Sequence, residues 1–411
     1  MRDETLRLPE ARFSCQSCGR CCTLWSVTID ATKVAALRRH DWSHVGRGDP
    51  FERNRGPGEP YRLRLVDGRC FFLDADRRCC IHSELGYEAK PEGCKAFPLH
   101  FTSVAGTSYG RLSFYCPSVS ANQGRPLREQ QRWARAVLKR VGAGAHQGPL
   151  RLNRTIELTS AELDRIERQL VRWVEQPGTS VAQRLGAGAA LLAELERRVT
   201  EQGKRAVAGC LSEAEQWDVV ARYAEWQAGG RAAQAGPVLS LFLGADCGPG
   251  PWPRLAHFFG VRLFQLGLAP LRSRLMQGRA WRRQLGRVAF DPPLGDEALL
   301  QRYFVHKLQG RRHLGGDTPL IGGFNLLVAA YGVISVLARL SAVHHGRSAV
   351  DAHDVASAVQ AADLLVVEHA TMLHKPLFAV LIERVLASPS LARAMFARVG
   401  PAHADAKLDR A

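Results

Sequence analysis

The stretch Cys15-Gln-Ser-Cys18-Gly-Arg-Cys21-Cys22 places four thiols within eight residues and decides how the N-terminal part of the chain must fold. Two intervening residues allow a tight turn to bring two thiolates onto one metal ion, and the third cysteine repeats that spacing. Neighbouring side chains on an extended backbone point to opposite sides. We therefore expect either Cys21 or Cys22 to bridge two ions or to serve a second site.

Further cysteines surround this stretch, because nine of the eleven lie before residue 117 and only Cys210 and Cys247 follow, as core thiols. Eight of the nine form the predicted set of metal ligands, with Cys79 left as a spare. These ligands are Cys15, Cys18, Cys21, Cys22, Cys70, Cys80, Cys94 and Cys116. Eight thiols suit two tetrahedral zinc sites, or one four-thiolate iron–sulfur cluster and a second metal.

The N-terminus gives an expectation about the compartment. The first ten residues carry three acidic side chains and no apolar run, so we expect no secretory signal. We expect a cytoplasmic protein, and in a reducing cytoplasm clustered thiols bind metal more readily than they form disulfides.

The chain has 411 residues, 46% apolar and 23% charged, which is globular composition. Residues 1–125 are rich in Gly, Pro and Cys, with a helix predicted over 30–42 and strands over 61–66 and 111–115. Metal binding would supply the folding energy that such a loop-rich segment lacks. Residues 126–411 show helical periodicity. We predict a mainly α protein, with a small, loop-rich, metal-stapled cysteine domain over 1–125 and an all-helical domain over 126–411.

Two capping boxes mark predicted helix starts in the second domain, at Thr159–Glu162 and Ser212–Glu215. Helices are predicted over 126–141, 160–176, 180–201, 213–228, 253–276, 296–309, 319–343, 350–372, 376–387 and 389–398. The uncharged stretch 318–338 is long enough to cross a membrane. Its glycines, Asn325 and Tyr331 favour a buried core helix, so no membrane span is expected.

The net charge of +17 comes mainly from 48 arginines against eight lysines. A basic surface attracts nucleic acid or acidic lipid. The charge is spread thinly, without like-charged blocks or interleaved aromatic residues. A nucleic-acid partner is therefore not expected.

The cysteine pattern resembles the YkgJ-type cysteine-cluster family, described as zinc- or iron-chelating. The resemblance rests on C-x2-C-G-x-C-C at 15–22, C-F-F-L at 70–73, C-I-H at 80–82 and K-P-x-x-C-K-x-F-P at 90–98. His82 stands where Tyr is usual, and Lys90 and Lys95 stand where Arg is usual. No departure removes a thiol, so the resemblance implies that the eight predicted ligands bind metal.

The chain length and the helical remainder are similar to the flagellin lysine-N-methylase branch of that family. The segments that carry this similarity are Arg302–Leu308, Ala329–Tyr331 and Val367–His369. The resemblance implies methyl transfer from S-adenosylmethionine to a lysine of flagellin or another protein substrate. The alternative is a non-enzymatic metal-chelating or maturation protein.

No catalytic residue and no S-adenosylmethionine pocket can be assigned from the sequence. The glycine-rich stretch 237–250 lacks the acidic residue that a nucleoside-binding turn places about 20 residues later, so we expect an interhelical loop there. Four histidines on helix-like segments are expected to be ordinary helical residues with neighbouring partners. They are His306, His353, His369 and His374.

Overall fold

A computed structural model describes residues 5–23, 26–56, 58–145, 148–228, 242–243, 251–290, 294–312, 314 and 318–367. The chain divides into two compact units, Met1–Ala145 and His146–Ala411. The predicted mainly α fold is confirmed. The predicted helices at 376–387 and 389–398 lie outside the described residues.

The first unit is built from short strands and helices. Its strands are β1 (Thr5–Arg7), β2 (Arg12–Phe13), β3 (Thr28–Ile29), β4 (Phe51–Arg53), β5 (Tyr61–Leu63), β6 (Leu65–Val66), β7 (Arg69–Cys70), β8 (Leu99–Val104), β9 (Thr107–Leu112), β10 (Arg125–Pro126) and β11 (Gly144–Ala145). Its helices are α1 (Ala31–Leu37), α2 (Cys80–Leu85), α3 (Glu92–Ala96), α4 (Pro117–Ser120) and α5 (Gln131–Val141). The largest sheet has the order β1-β9-β8-β11, with β8 and β9 forming an antiparallel hairpin and the two outer pairs running parallel.

Three predicted elements of this unit have different bounds in the structure. Helix α1 ends at Leu37 because the indole nitrogen of Trp42 donates to the Leu37 carbonyl at 2.8 Å and turns the chain back. The predicted strand 61–66 is divided at Arg64, because β5 pairs with β3 and β4 whereas β6 pairs with β7. The predicted strand 111–115 is the end of β9, which stops at Leu112.

Helix α5 packs against α3 and β8, so it belongs to the first unit. The structural division therefore falls after Ala145, whereas the sequence analysis drew it at 125. The assignment of metal binding to residues 1–125 stays a prediction.

The second unit is a helical assembly with one β-hairpin. Its helices are α6 (Ser160–Glu175), α7 (Val181–Gln202), α8 (Ala206–Ala214), α9 (Val219–Ala228), α10 (Pro251–Gln265), α11 (Arg282–Gly286), α12 (Leu294–Gln309), α13 (Leu320–His344) and α14 (Ala352–Ala362), followed by a π-helix at Asp363–Val367. Its strands are β12 (Leu271–Ser273) and β13 (Gly278–Ala280). The predicted capping box at the start of α6 is confirmed, since the Glu162 amide donates to the Thr159 hydroxyl and the Thr159 amide donates back to the Glu162 carboxylate.

Two helix predictions in this unit are wrong in part. Ser212 lies inside α8 and starts no helix, because Val207, Cys210, Leu211 and Ala214 extend the apolar stripe upstream of it. The helix predicted over 253–276 ends at Gln265. Gly267 has φ 78°, and the Leu268 amide donates to the Leu263 carbonyl, which closes the helix before the hairpin.

Helix α13 is the centre of the second unit. It contacts α7, α11, α14 and the hairpin, and it is buried along almost its whole length. It is the one helix among the described residues that is long and apolar enough to cross a membrane, and nearly all of that apolar stretch is covered by protein. The structure therefore agrees with the predicted core helix.

Candidate metal centre

Sequence suggested an extended backbone at Cys21 and Cys22, but the chain turns sharply there. Gly19 has φ 67° and leads into a 3₁₀ turn over Arg20–Cys22. Because a 3₁₀ turn rotates about 120° per residue, neighbouring side chains need not point to opposite sides. The sulfur atoms of Cys21 and Cys22 are 3.9 Å apart. The expectation that these two cysteines face away from each other is therefore wrong.

Five cysteines meet at one cavity, which we call the thiol cavity. Its thiols are Cys21, Cys22, Cys70, Cys79 and Cys94. The remaining wall is formed by Val27, Leu63, Phe72, Ile81, Lys90, Pro91, Gly93 and Phe97. Four separate segments of the chain thus bring thiols to the same place, and the apolar side chains between them limit access of water.

Cys79 and Cys80 take opposite positions. Cys79, which the sequence analysis left as a spare, lines the thiol cavity. Cys80, which it chose as a ligand, is the first residue of α2 and is buried in the hydrophobic core with Phe71, Phe72 and Ile81. The backbone direction explains the difference, since Cys79 is still extended and its neighbour has entered the helix. The geometry favours Cys79 as the thiol of the site.

A second thiol group lies around Cys116. Burial raises the pKa of the Cys116 thiol to about 12, and the charges of Cys18 and Cys21 add to that shift. The pairing of β2 with β10 and a hydrogen bond from the Ser118 hydroxyl to the Ser14 carbonyl hold the start of the cysteine stretch beside α4. Cys15 follows Ser14 directly, and both Cys15 and Cys18 are exposed.

Charged side chains fix the helix that carries Cys94. Lys95 is 4% exposed and forms ion pairs with Glu92 at 2.8 Å and Glu88 at 3.1 Å. Lys33 donates to the Glu92 carboxylate at 2.9 Å and to the Lys90 carbonyl at 3.0 Å. Burial of the Glu92 carboxyl is outweighed by the hydrogen bonds from Lys95 and Lys33, so its pKa is lowered. These bonds join α1 to α3 and hold Lys90 beside the thiols.

The thiol cavity combines neutral thiols, one acidic thiol and a cation. Burial raises the pKa of Cys70 to about 12 and that of Cys94 further. The hydrogen bond between the Cys21 and Cys22 thiols lowers the pKa of Cys21 to about 7 and raises that of Cys22. Burial lowers the pKa of the Lys90 ammonium, but the neighbouring thiolates outweigh that effect and raise it. Lys90 therefore offsets negative charge that accumulates on the sulfurs.

The donor chemistry fits a thiolate-bound metal. Thiolate sulfur is a preferred ligand of zinc and of iron–sulfur clusters. Within the described part of the chain, no three His, Cys, Asp or Glu side chains are arranged to hold an ion as they stand. Binding therefore requires the remaining thiols to turn inward around the metal.

Two segments of the second unit that carried the methylase resemblance, Arg302–Leu308 and Ala329–Tyr331, meet in the structure, and only Val367 of the third lies within the described residues. Phe304 of α12 contacts Tyr331 of α13, with ring centroids 6.2 Å apart. Lys307 of α12 pairs with Asp363 at 2.6 Å, four residues before Val367. These contacts bring α12, α13 and the π-helix to one buried region.

The other predicted residues of this unit are found as follows. His306 is buried and has a neighbouring partner, and His353 is exposed on α14. Cys210 is fully buried, as predicted for a core thiol. His369, His374, Cys247 and all of the stretch 237–250 except residues 242–243 lie outside the described residues.

The thiol cavity includes Cys79 and Lys90, which were not among the predicted ligands, and the choice of Cys80 as a ligand stays a prediction. Lys90 could have been found from its place in the K-P-x-x-C segment, four residues before Cys94. Cys79 gave no signal, since spacing alone does not show which of two adjacent thiols faces inward.

The cysteine segment matches a known family. Residues 14–117 match the model of the CxxCxxCC family, described as a "putative zinc- or iron-chelating domain". The resemblance of the cysteine segment to that family is confirmed.

Two proteins named Lysine-N-methylase, from Salmonella typhimurium and Salmonella choleraesuis, are each 27% identical over 134 residues, covering 29% of this chain and 33% of theirs. A protein named Flagellar biosynthetic protein FliU, from Salmonella muenchen, is 27% identical over 134 residues, covering 29% of this chain and 78% of its own. The matched region thus spans about a third of the two methylases. No solved structure gives a significant match.

Proposed function

We propose that the first unit binds iron or zinc through two neighbouring sets of four thiolates. The first set is Cys22, Cys70, Cys79 and Cys94, and the second is Cys15, Cys18, Cys21 and Cys116. The observation that carries this proposal is the convergence of five thiols on the thiol cavity. The charges of Cys18 and Cys21 act on the Cys116 thiol, which supports grouping these three in the second set. The two sets would be adjacent, because Cys21 and Cys22 belong to different sets and their sulfurs are in contact.

Each set would form a closed four-thiolate site, which suits zinc or an iron–sulfur cluster. Four thiolates around a divalent ion leave excess negative charge, and Lys90 in the cavity wall offsets part of it. A closed site leaves no open position for a substrate. The metal would therefore hold the loop-rich unit together, since metal binding supplies folding energy to small domains of this kind.

The chemical activity proposed for the whole chain is methyl transfer from S-adenosylmethionine to a protein lysine. The support is the similarity to proteins named Lysine-N-methylase and the contact between two of the resembling segments, on α12 and α13. S-adenosylmethionine would supply the methyl group. The protein would have to hold a deprotonated lysine in line with the sulfonium in a cleft that excludes water. Flagellin is the substrate suggested by the name of the third relative.

A reducing compartment suits this function, and we propose the cytoplasm. All ten cysteines that the structure describes are unpaired thiols. Thiols in such a compartment stay reduced and available to metal.

Metal binding is tested by purifying the full chain without oxygen, followed by metal analysis and an absorption spectrum. Wild type is expected to hold tightly bound iron or zinc, and Cys94→Ala is expected to lose it. Protein that contains no metal and stays folded in a strong chelator would disprove metal binding. The spectrum also separates an iron–sulfur cluster, which absorbs visible light, from zinc, which does not.

Methyl transfer is tested on protein shown to be metal-replete. S-adenosylmethionine should raise the unfolding temperature in a concentration-dependent way, because a ligand that binds the folded state stabilises it by mass action. Purified flagellin should gain methyl groups on lysine, and that gain should persist when zinc replaces iron. If metal-replete protein neither binds the cofactor nor methylates lysine, methyl transfer is disproved. The alternative is then a non-enzymatic metal-chelating function.

A further inference from the structure

Helix α10 has apolar side chains on two opposite faces. Val261 and Phe264 are buried on one face. The other face carries Trp252, Leu255, Phe259 and Leu263, and at about 100° of rotation per residue these four fall within an arc of about 80°. A surface helix of a globular protein normally carries polar side chains on its outer face. The outer face of α10 is therefore exceptional for a soluble surface.

These outer side chains are well exposed. Trp252 is 78% exposed and Phe259 is 56% exposed, and the row continues past the helix end through Leu266 and Leu268. From Trp252 to Leu268, every exposed residue that the structure describes is apolar. A contiguous exposed apolar row of this size marks an interaction surface. We call it the apolar row.

The sequence around the apolar row is strongly basic. Residues 251–290 contain eight arginines and no aspartate or glutamate. Six of these arginines are exposed on the segment that follows α10: Arg272, Arg274, Arg279, Arg282, Arg283 and Arg287. Trp281, 47% exposed, lies among them. The segment therefore combines exposed arginine with exposed tryptophan, so the expectation of a thinly spread charge without like-charged blocks or interleaved aromatic residues is wrong for residues 251–290.

Arginines and apolar row belong to one firmly held surface. Arg282 donates to the Gln265 carbonyl at 3.2 Å, which joins α11 to the end of α10. Leu271 and Ala280 anchor the hairpin by burial, and the hairpin packs on α13. The surface thus rests on the core of the second unit.

We propose that this surface docks on an anionic phospholipid bilayer. An interfacial helix places Trp, Phe and Leu at the boundary between headgroups and acyl chains, and flanking arginines contact lipid phosphates. Charge complementarity favours an anionic surface as the occupant, because residues 251–290 contain eight arginines and no carboxylate. Helix α13 takes no part, because it is covered by protein. The inference is independent of methyl transfer and concerns attachment to the membrane surface without crossing it.

The test is co-sedimentation of the full chain with vesicles of three parts phosphatidylcholine to one part phosphatidylglycerol, and with vesicles of phosphatidylcholine alone. Binding is expected to the anionic vesicles, to weaken as ionic strength rises, and to be much weaker without phosphatidylglycerol. The double variant Leu255→Ser/Phe259→Ser should bind about tenfold more weakly, because it removes apolar area that enters the interface. Arg282→Gln/Arg283→Gln should weaken binding to anionic vesicles and reduce its salt dependence.

Matched controls use exposed residues elsewhere. Leu85→Ser changes another exposed leucine, and Arg132→Gln changes another exposed arginine, and neither should alter vesicle binding. Circular dichroism and metal content confirm that each variant is folded. Because metal content is measured on the same samples, a failure of lipid binding is distinguished from a failure of metal binding.

Three results would overturn the proposal. The first is absence of binding to anionic vesicles by folded wild type. The second is equal binding by wild type and the Leu255→Ser/Phe259→Ser variant. The third is a dimer, or a complex with flagellin, that depends on Leu255 and Phe259 while vesicles are not bound, since a protein would then be the occupant of the apolar row.

Discussion

Lys307 on α12 and Asp363 at the start of the π-helix form an ion pair 2.6 Å apart, with side-chain exposures of 2% and 0%. The Lys307 ammonium also lies over the Tyr303 ring, 5.4 Å from its centroid. Removing one member of a buried pair leaves a charge inside the protein, which costs much more than the pair contributes. π-Helical turns occur often at functional sites, so this pair marks the part of the second unit where α12 and the chain before Val367 are held together.

Lys307→Met is expected to lower the free energy of unfolding by about 3–5 kcal/mol, because it leaves Asp363 charged and buried. The double variant Lys307→Met/Asp363→Leu should recover part of that loss. Urea unfolding followed by circular dichroism measures both. Arg222→Gln, which breaks an exposed pair with Glu225, serves as the control and should cost less than about 1 kcal/mol. A Lys307→Met variant as stable as that control would contradict the expectation.

Cys79→Ser is expected to reduce bound metal, and Cys80→Ser is expected to retain it. Cys79 lines the thiol cavity, whereas Cys80 packs in the hydrophobic core. The two variants make the same chemical change at adjacent positions, so each is the control for the other. Metal analysis of anaerobically purified protein measures the outcome. Loss of metal in Cys80→Ser alone would show that the core thiol turns toward the metal when it binds.

Gly19→Ala is expected to disturb the cysteine turn and lower metal retention. A Cβ at Gly19 would lie 2.7 Å from the Arg77 carbonyl oxygen, and φ is +67°. Gly68→Ala is the matched control, because φ is also positive there but nothing lies within 4 Å of the added atom. Metal retention under chelator challenge should be lower for Gly19→Ala than for Gly68→Ala. Equal retention would mean that the contact with Arg77 is unimportant.

Ala330→Arg is expected to prevent stable folding of the second unit. Ala330 is fully buried in α13, and an unpaired charge there has no partner and no water. Thermal unfolding should show a large drop in the transition temperature or no transition. Val220→Arg, at an exposed position of α9, should leave the transition nearly unchanged. If wild type were recovered only in a carbonate-resistant membrane fraction, α13 would be a membrane span and not a core helix.

Glu194→Gln is expected to lower stability at neutral pH and to have no effect in strong acid. Hydrogen bonds from Arg197 and Arg198 lower the pKa of Glu194 to about 2, from an ordinary value of 4.5. A folded-state pKa below the unfolded value contributes stability above pH 4.5, and this contribution is lost as pH falls toward 2. The difference from wild type should be about 1 kcal/mol at pH 7, because the carboxylate is partly exposed. Urea titrations across this range would contradict the idea if the difference were constant.

What could be predicted from the sequence was decided mostly by local interactions. Thr159 and Glu162 cap α6 as predicted, because both hydrogen bonds join residues of one turn. Ser212 shows the same pattern and starts no helix, because burial of Val207 and Cys210 extends α8 upstream. Local pattern predicts a helix start only where tertiary packing does not override it.

The same distinction between local and distant interactions applies to the candidate metal centre. The spacing of Cys15, Cys18 and Cys21 identifies them as a group because the turn that joins them is local. The choice between Cys79 and Cys80 depends on how the bend before α2 packs against residues distant in sequence. The position of Lys90 likewise depends on Lys33, 57 residues earlier, which binds its carbonyl.

Burial of α13 on every side also sets an order for synthesis of the second unit. Helices α7 and α11 and the hairpin, which contact α13, precede it in the chain, so part of its covering leaves the ribosome before it does. Helix α14, which packs along it, comes afterwards. Until α14 has been made, α13 presents the same apolar stretch that membrane-insertion machinery selects by length and hydropathy. Rapid docking of α13 on the earlier helices therefore determines whether the nascent chain folds or is diverted to the membrane.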